Sequence, residues 1–186
     1  MKNDLQIQNL LDRISKNGDE KALQQLFELY ADSLLRFSVS IIKKKELAEE
    51  VVCDVFFQLW LQRKKISAIE NIKAYLFMAT KNTTLNYLEK EKRVKFSLLQ
   101  DITVTLPTDE VCPETELISA ELRNAIDNAI QHLPERCKLI FSLAKIEQFK
   151  YKEIAQILGI SVKTIDHQLT IAVKKIGETI EQHLKN

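Results

Sequence analysis

The sequence predicts an all-α fold: two small helical domains joined by a flexible acidic linker. Three observations carry that expectation. Only three Gly and three Pro occur among 186 residues, far below ordinary usage, so the chain has few turns and few strand-punctuating residues. Apolar residues recur at spacings of three and four in long runs. A Pro-bearing acidic stretch interrupts that periodicity and divides the chain. With 45% hydrophobic and 28% charged residues there is material for a core, which excludes wholesale disorder. A Gly-rich phosphate loop and a many-turned β-sandwich are excluded on the same counts.

The elements follow in order. The start, MKNDLQIQNLLDRI, is amphipathic and broken by charges, and no long apolar window occurs, so neither a signal peptide nor a membrane insertion is expected. From Asp19 to Phe37 the stripe Ala22, Leu23, Leu26, Phe27, Tyr30, Leu34, Leu35 predicts a helix. After Lys43–Lys45, a second stripe runs Leu47, Val51, Val55, Leu59 with Phe56 and Trp60 beside it. Ile69 to Tyr87 carries a third through Ile72, Leu76, Ala79 and Thr83. The period fails between about Phe96 and Glu116, where Thr, Asp and Pro predominate, and resumes over 117–133, 134–146, 151–158 and 162–184. The expected domains are therefore 1–96 and 117–186, with a linker at 97–116.

The net charge of +1 taken whole argues against a nucleic-acid binder, but it is an average over unlike segments. Residues 62–100 hold 9 basic and 3 acidic side chains, 101–121 hold none and 6, and 134–178 hold 8 and 5. Two basic blocks flank an acidic one, the pattern of two polyanion-meeting modules on a solvated tether. Cys53, Cys112 and Cys137 form no CxxC pair and have no His at metal-ligand spacing. No disulfide framework, metal site or cofactor is expected, and the three read as buried small side chains in a reducing, cytoplasmic protein. His132, His167 and His183 are scattered, and no nucleophile shares a motif with a base, so an enzyme is not expected.

Three segments carry chemistry. In YKEIAQILGISVKTIDHQLTIAVKKI, from Tyr151, a first helix packs through Ile154, Ala155 and Leu158. Gly159 supplies the left-handed residue that ends it, and Ser161 caps a second helix buried through Ile165, Leu169, Ala172 and Ile176. This is a helix-turn-helix, and it leaves Lys163, Thr164, Asp166, His167, Thr170 and Lys174 outside the buried stripe to meet bases and phosphates. Asp166 repels phosphate but can accept from cytosine. In YLFMATKNTTLNYLEKEKR, from Tyr75, Asn82 and Asn86 share a helix face that Lys90 and Arg93 continue. Asn can both donate to and accept from an exposed base edge, and the aromatics Tyr75, Phe77 and Tyr87 offer stacking platforms for unpaired bases. In AEEVVCDVFFQLW, from Ala48, Glu50, Asp54 and Gln58 form an i, i+4, i+8 row suited to a basic protein partner.

Together and in this order, these segments resemble the extracytoplasmic-function, or group IV, sigma factors of bacterial RNA polymerase. AEEVVCDVFFQLW resembles region 2.2, YLFMATKNTTLNYLEKEKR regions 2.3 to 2.4, and LPERCKLIFSLAKIEQFKYKEIAQILGISVKTIDHQL region 4. The resemblance implies a factor that binds core RNA polymerase, opens promoter DNA at the −10 element and reads the −35 duplex. It assigns Glu50, Asp54 and Gln58 to the polymerase, Asn82, Asn86, Lys90 and Arg93 to the unpaired −10 strand, and Lys163, Thr164, Asp166, His167, Thr170 and Lys174 to the −35 element. It makes Arg63 to Lys73 a loop that receives a flipped base, and it implies control by an anti-sigma factor. Cys53 stands where the family often has Gln, and Asp166, His167 and Ile171 stand where some members have basic side chains. A linker of about 20 residues at roughly 3.3 Å each reaches some 65 Å, close to two turns of duplex. The alternative is a stand-alone helix-turn-helix regulator whose N-terminal half senses or dimerises.

Overall fold

The computed structural model describes residues 2–95 and 120–184, with side chains for 5–90 and 126–181. The linker expected at 97–116, Cys112 and the side chain of Arg93 lie outside the described residues. The chain divides into two compact units, and every described regular element is helical.

The first unit comprises α1 (Lys2–Asn17), α2 (Glu20–Ile42), α3 (Lys45–Leu61), a 3₁₀ helix (Arg63–Ala68) and α4 (Ile72–Lys95). Asp19 starts α2: its carboxylate accepts from the Ala22 amide at 3.1 Å, and Oδ2 takes the Arg13 guanidinium at 2.7 Å. That guanidinium and the backbone amide of Ala22 hold its carboxyl below the ordinary 3.8. Lys43 ends α2 in the left-handed region, at φ 59°. The helix runs past Phe37 because Ser38 and Ile42 continue the buried stripe of Ala22, Leu26, Tyr30 and Leu34. It packs against α1, α3 and α4 and so forms the centre of the unit. Its aromatic contacts are edge-on or tilted, with ring centroids at 4.9 Å for Phe27–Phe56 and 5.1 Å for Phe37–Phe77.

One polar seam crosses this apolar interior. Ser38, Thr80 and Thr84 are fully buried. The hydroxyls of Ser38 and Thr84 lie 2.9 Å apart, and that of Thr84 donates to the Thr80 carbonyl at 2.7 Å. The Thr80 hydroxyl has no partner.

The second unit comprises α5 (Ala120–Gln131), α6 (Glu135–Phe141), a π-turn (Ser142–Ile146), α7 (Tyr151–Leu158) and α8 (Val162–Leu184). Pro134 precedes α6, where its fixed φ and missing N–H cost nothing. The helix expected over 134–146 widens after Phe141: Glu147 N–H reaches back to the Ser142 carbonyl at 2.9 Å and Phe149 N–H to that of Leu143 at 3.0 Å. This widened turn carries the chain toward α7. Helix α8 packs on α5, α6 and α7, with Leu133, Cys137 and Ala172 buried and Phe141, Ile171 and Ile176 packed around them.

Candidate nucleic-acid interface

Helices α7 and α8 form the helix-turn-helix with a turn of three residues. Glu153 accepts from the Lys150 amide at 2.7 Å and fixes the start of α7. Gly159 ends it at φ 68°, its N–H bonded to the Ala155 carbonyl at 2.9 Å. A Cβ there would meet nothing within 4 Å, so it is the backbone conformation alone that asks for glycine. Ser161 Oγ then accepts from the Thr164 amide at 3.0 Å, the expected cap. The buried side of α7 is Ile154 and Ile157, with Leu158 only half-buried, a shift of one position from the expected Ile154–Leu158 pairing.

On α8, Ile165, Leu169 and Ala172 are buried and Ile176 is half-buried. Lys163, Asp166, His167, Thr170 and Lys174 are exposed. Three of the six candidates have partners within the helix or at its cap. The Thr164 hydroxyl lies 2.8 Å from Ser161 Oγ, that of Thr170 donates to the Asp166 carbonyl at 3.0 Å, and Lys174 faces Glu178 at 3.9 Å. Lys163, Asp166 and His167 thus form the outward tip of the helix. Lys145, Lys150 and Lys152, which spacing did not single out, are exposed on the approach to and start of α7.

On α4, Asn82, Asn86 and Lys90 are exposed and lie one helical turn apart in succession. The aromatics diverge from expectation. Phe77 is fully buried against Phe37 and cannot stack on a base. Tyr87 is half-buried, with the Lys90 ammonium 5.5 Å from its ring centroid. Its hydroxyl donates to Asp54 Oδ2 at 2.7 Å. That hydrogen bond, then burial and the charges of Asp54 and Glu50, pushes the phenol up to about 12, so it remains a donor at neutral pH.

On α3, Glu50, Asp54 and Gln58 are all exposed. Beside them on the same side stand Cys53, Phe57 and Leu61, the last two 57% and 56% exposed. Cys53 is therefore not the buried side chain expected; it falls between Val52 and Asp54 on the wet side of a helix whose interior is filled by Val51, Val52, Val55, Phe56 and Leu59. Cys137 is buried, its thiol donating to Gln168 Oε1 at 2.9 Å.

The segment 63–73 is not an open loop. Its first six residues form the 3₁₀ helix, with Ile66 buried beneath. Arg63 lies over the Trp60 ring at 4.6 Å and donates to the Trp60 carbonyl at 3.2 Å. Asn71 Oδ1 accepts from the Ala74 amide at 3.0 Å, which starts α4 at Ile72 and leaves Ile69 outside it. Among the described residues, no cluster of His, Cys, Asp and Glu could hold a metal ion, and no helix is long and apolar enough to cross a membrane.

Comparison with known proteins matches residues 26–94 to Sigma-70 region 2 and residues 123–176 to Sigma-70, region 4. The chain is 23% identical to the ECF RNA polymerase sigma factor SigW of Bacillus subtilis, over 81% of this chain and 84% of that one. It is 24% identical to the ECF RNA polymerase sigma-E factor of Escherichia coli, over 97% of each. Among solved structures it is similar to the sigma factor RpoE in complex with the anti-sigma factor NepR from Bartonella quintana. That match has a TM-score of 0.61 and 20% identity, and covers 87% of this chain and 98% of that one. It is also similar to CnrH in complex with the cytosolic domain of CnrY, with a TM-score of 0.57 and 17% identity, covering 95% and 98%. Both sigma regions therefore lie on one chain, in the order and on the helices that carry the exposed rows, and the chain belongs to the sigma-70 family as an extracytoplasmic-function sigma factor.

Proposed function

We propose that this factor divides its work between a region 2 domain at 1–96 and a region 4 domain at 117–186, joined by a linker at 97–116. Glu50 and Gln58, with Asp54, meet a basic face of core RNA polymerase. Asn82, Asn86, Lys90 and Arg93 hold the unpaired −10 strand, and residues 63–73 receive a base flipped from it. Lys163, Asp166 and His167 read the −35 duplex, with Thr164, Thr170 and Lys174 supporting the helix and its phosphate contacts. The protein performs no covalent chemistry of its own and works in the cytoplasm. An anti-sigma factor controls it, as the anti-sigma partner of the similar RpoE suggests.

The observation that carries this reading is the pairing, in one chain, of a capped recognition helix with an exposed Asn82–Asn86–Lys90 row on a separate unit. A stand-alone regulator needs only the first. The test is transcription with purified core polymerase and no other initiation factor, where specific transcripts are expected and their absence from every promoter would reject the assignment. Asn82→Ala and Asn86→Ala should each weaken opening by about 1 to 3 kcal/mol, the scale of a base contact. Permanganate footprints of the −10 bubble unchanged in the double variant would remove those residues from the site. Glu50→Lys probes polymerase assembly more cleanly than Asp54→Lys, which also breaks the link to Tyr87.

A further inference from the structure

Helix α1 precedes the stretch matched to region 2, and the assignments above leave it without a role. Its apolar side, Leu10, Leu11 and Ile14, is buried, as is Ile66 of the 3₁₀ helix, and the two elements pack together. Its polar edge does something more specific. Gln8 and Ser15 are seven residues apart, two turns, and so lie on one side. Ser15 Oγ donates to the Lys64 carbonyl at 3.2 Å and lies 3.3 Å from Ser67 Oγ; Gln8 Nε2 donates to the Ser67 carbonyl at 3.4 Å. With its proton on Lys64 O, Ser15 Oγ is left to accept from Ser67, so both of its capacities are used.

A 3₁₀ helix of six residues is longer than the three or four such geometry usually sustains. Support from outside is therefore needed, and α1 is fixed firmly enough to give it. The Arg13–Asp19 pair at 2.7 Å ties its end to the start of α2, and the Gly18 N–H to Ile14 carbonyl bond at 3.1 Å closes its last turn.

We propose that Ser15, backed by Gln8, is a positioning residue that holds the 3₁₀ segment in the shape that receives the flipped −10 base. This rests on the assignment of 63–73 as the base-receiving segment. Ser15 acts through the Lys64 carbonyl and the Ser67 hydroxyl, and Gln8 through the Ser67 carbonyl.

The test uses full-length protein assembled with core polymerase on a promoter selected by that holoenzyme from a random-sequence library. Single abasic substitutions are placed along the non-template strand of the −10 element, and opening is timed by permanganate reactivity. In the wild type, one abasic position should slow opening about tenfold, the scale of one lost base contact. Ser15→Ala should slow opening roughly fivefold on the intact promoter, as for one lost hydrogen bond, and by less than about twofold on the template already abasic at that position. Ser15→Thr should restore opening, and Gln8→Ala, at an exposed position, should show a smaller loss with the same abasic dependence. Co-elution with core polymerase and the unfolding midpoint read from Trp60 fluorescence verify assembly and folding. Wild-type opening rates in Ser15→Ala, or an equal loss on intact and abasic templates, would overturn the role of Ser15. If no abasic position slows the wild type, the base-receiving assignment itself fails, and this role with it.

Discussion

Replacing Tyr87 by Phe removes one hydroxyl and leaves the ring. That hydroxyl donates to Asp54 Oδ2 at 2.7 Å and joins α4 to α3. A phenol raised from 10.0 to about 12 would correspond to about 2.7 kcal/mol if the pair were dry. Asp54 is exposed, so water screens the contact and replaces the lost donor, and the expected cost near pH 8 is about 1 kcal/mol. A raised pKa favours the neutral phenol in the folded state. The stabilisation is therefore whole below pH 10, the unfolded value, and is lost as pH rises through about 12. Trp60, the sole Trp of the chain, lies in the first unit and reports its unfolding. Urea titrations of wild type and Tyr87→Phe at several pH values give a stability gap, and taking the gap cancels the titration of lysines common to both. It should be about 1 kcal/mol at pH 8 and shrink toward zero as the phenol ionises. Asp54→Ala should open a similar gap, and the double variant should cost little more than either single one. A gap that is absent at pH 8, or that persists unchanged through the phenol titration, would refute the reasoning.

Thr80→Val removes the partnerless buried hydroxyl at nearly constant shape and should stabilise the first unit by about 1 kcal/mol in the same Trp60 titration. Thr84→Val should do the opposite, losing about 1 to 3 kcal/mol, because the buried Ser38 hydroxyl is left without its 2.9 Å neighbour. Gly159→Ala, at φ 68° with open space around the new methyl, should cost about 1 kcal/mol by circular dichroism of thermal unfolding, all of it backbone strain.

Periodicity was sufficient for the long helices because their buried stripes are unbroken. Leu26, Tyr30 and Leu34 are buried in α2 as the spacing of three and four requires, and the Gly159–Ser161 turn with Ile154, Ile165, Leu169 and Ala172 matches, while α7 buries Ile157 in place of Leu158. The misses have local causes. Phe77 looked like a stacking platform since a helical wheel does not say which neighbour covers a face; Phe37 covers it. Cys53 is small and apolar, yet its register on α3 is the wet one, and composition cannot override register. The resemblance makes residues 63–73 a loop, whereas Ile66 and contacts from residues some fifty positions away in sequence, such as Ser15 to Lys64, hold the first six of them as a 3₁₀ helix. The pairing of Tyr87 with Asp54 spans 33 residues and leaves no local signature. Of the outward row on α8, the exposure of Lys163, Asp166, His167, Thr170 and Lys174 was legible; that Thr164 turns to the Ser161 cap, and Thr170 and Lys174 to their own helix, was not.

The outward side of α3 has one further consequence. At 100° per residue, Cys53, Phe57 and Leu61 form one ribbon and Glu50, Asp54 and Gln58 the next, so apolar and polar side chains run side by side along the helix. On the proposed assignment of this side to core polymerase, the free factor carries its docking surface bare through water. A ribbon one side chain wide, edged by carboxylates, is too narrow for two free copies to adhere, while a partner whose apolar groups are bordered by cations can cover both ribbons at once. On that assignment, one alternation both disfavours self-association of the free factor and favours a partner that matches the two ribbons.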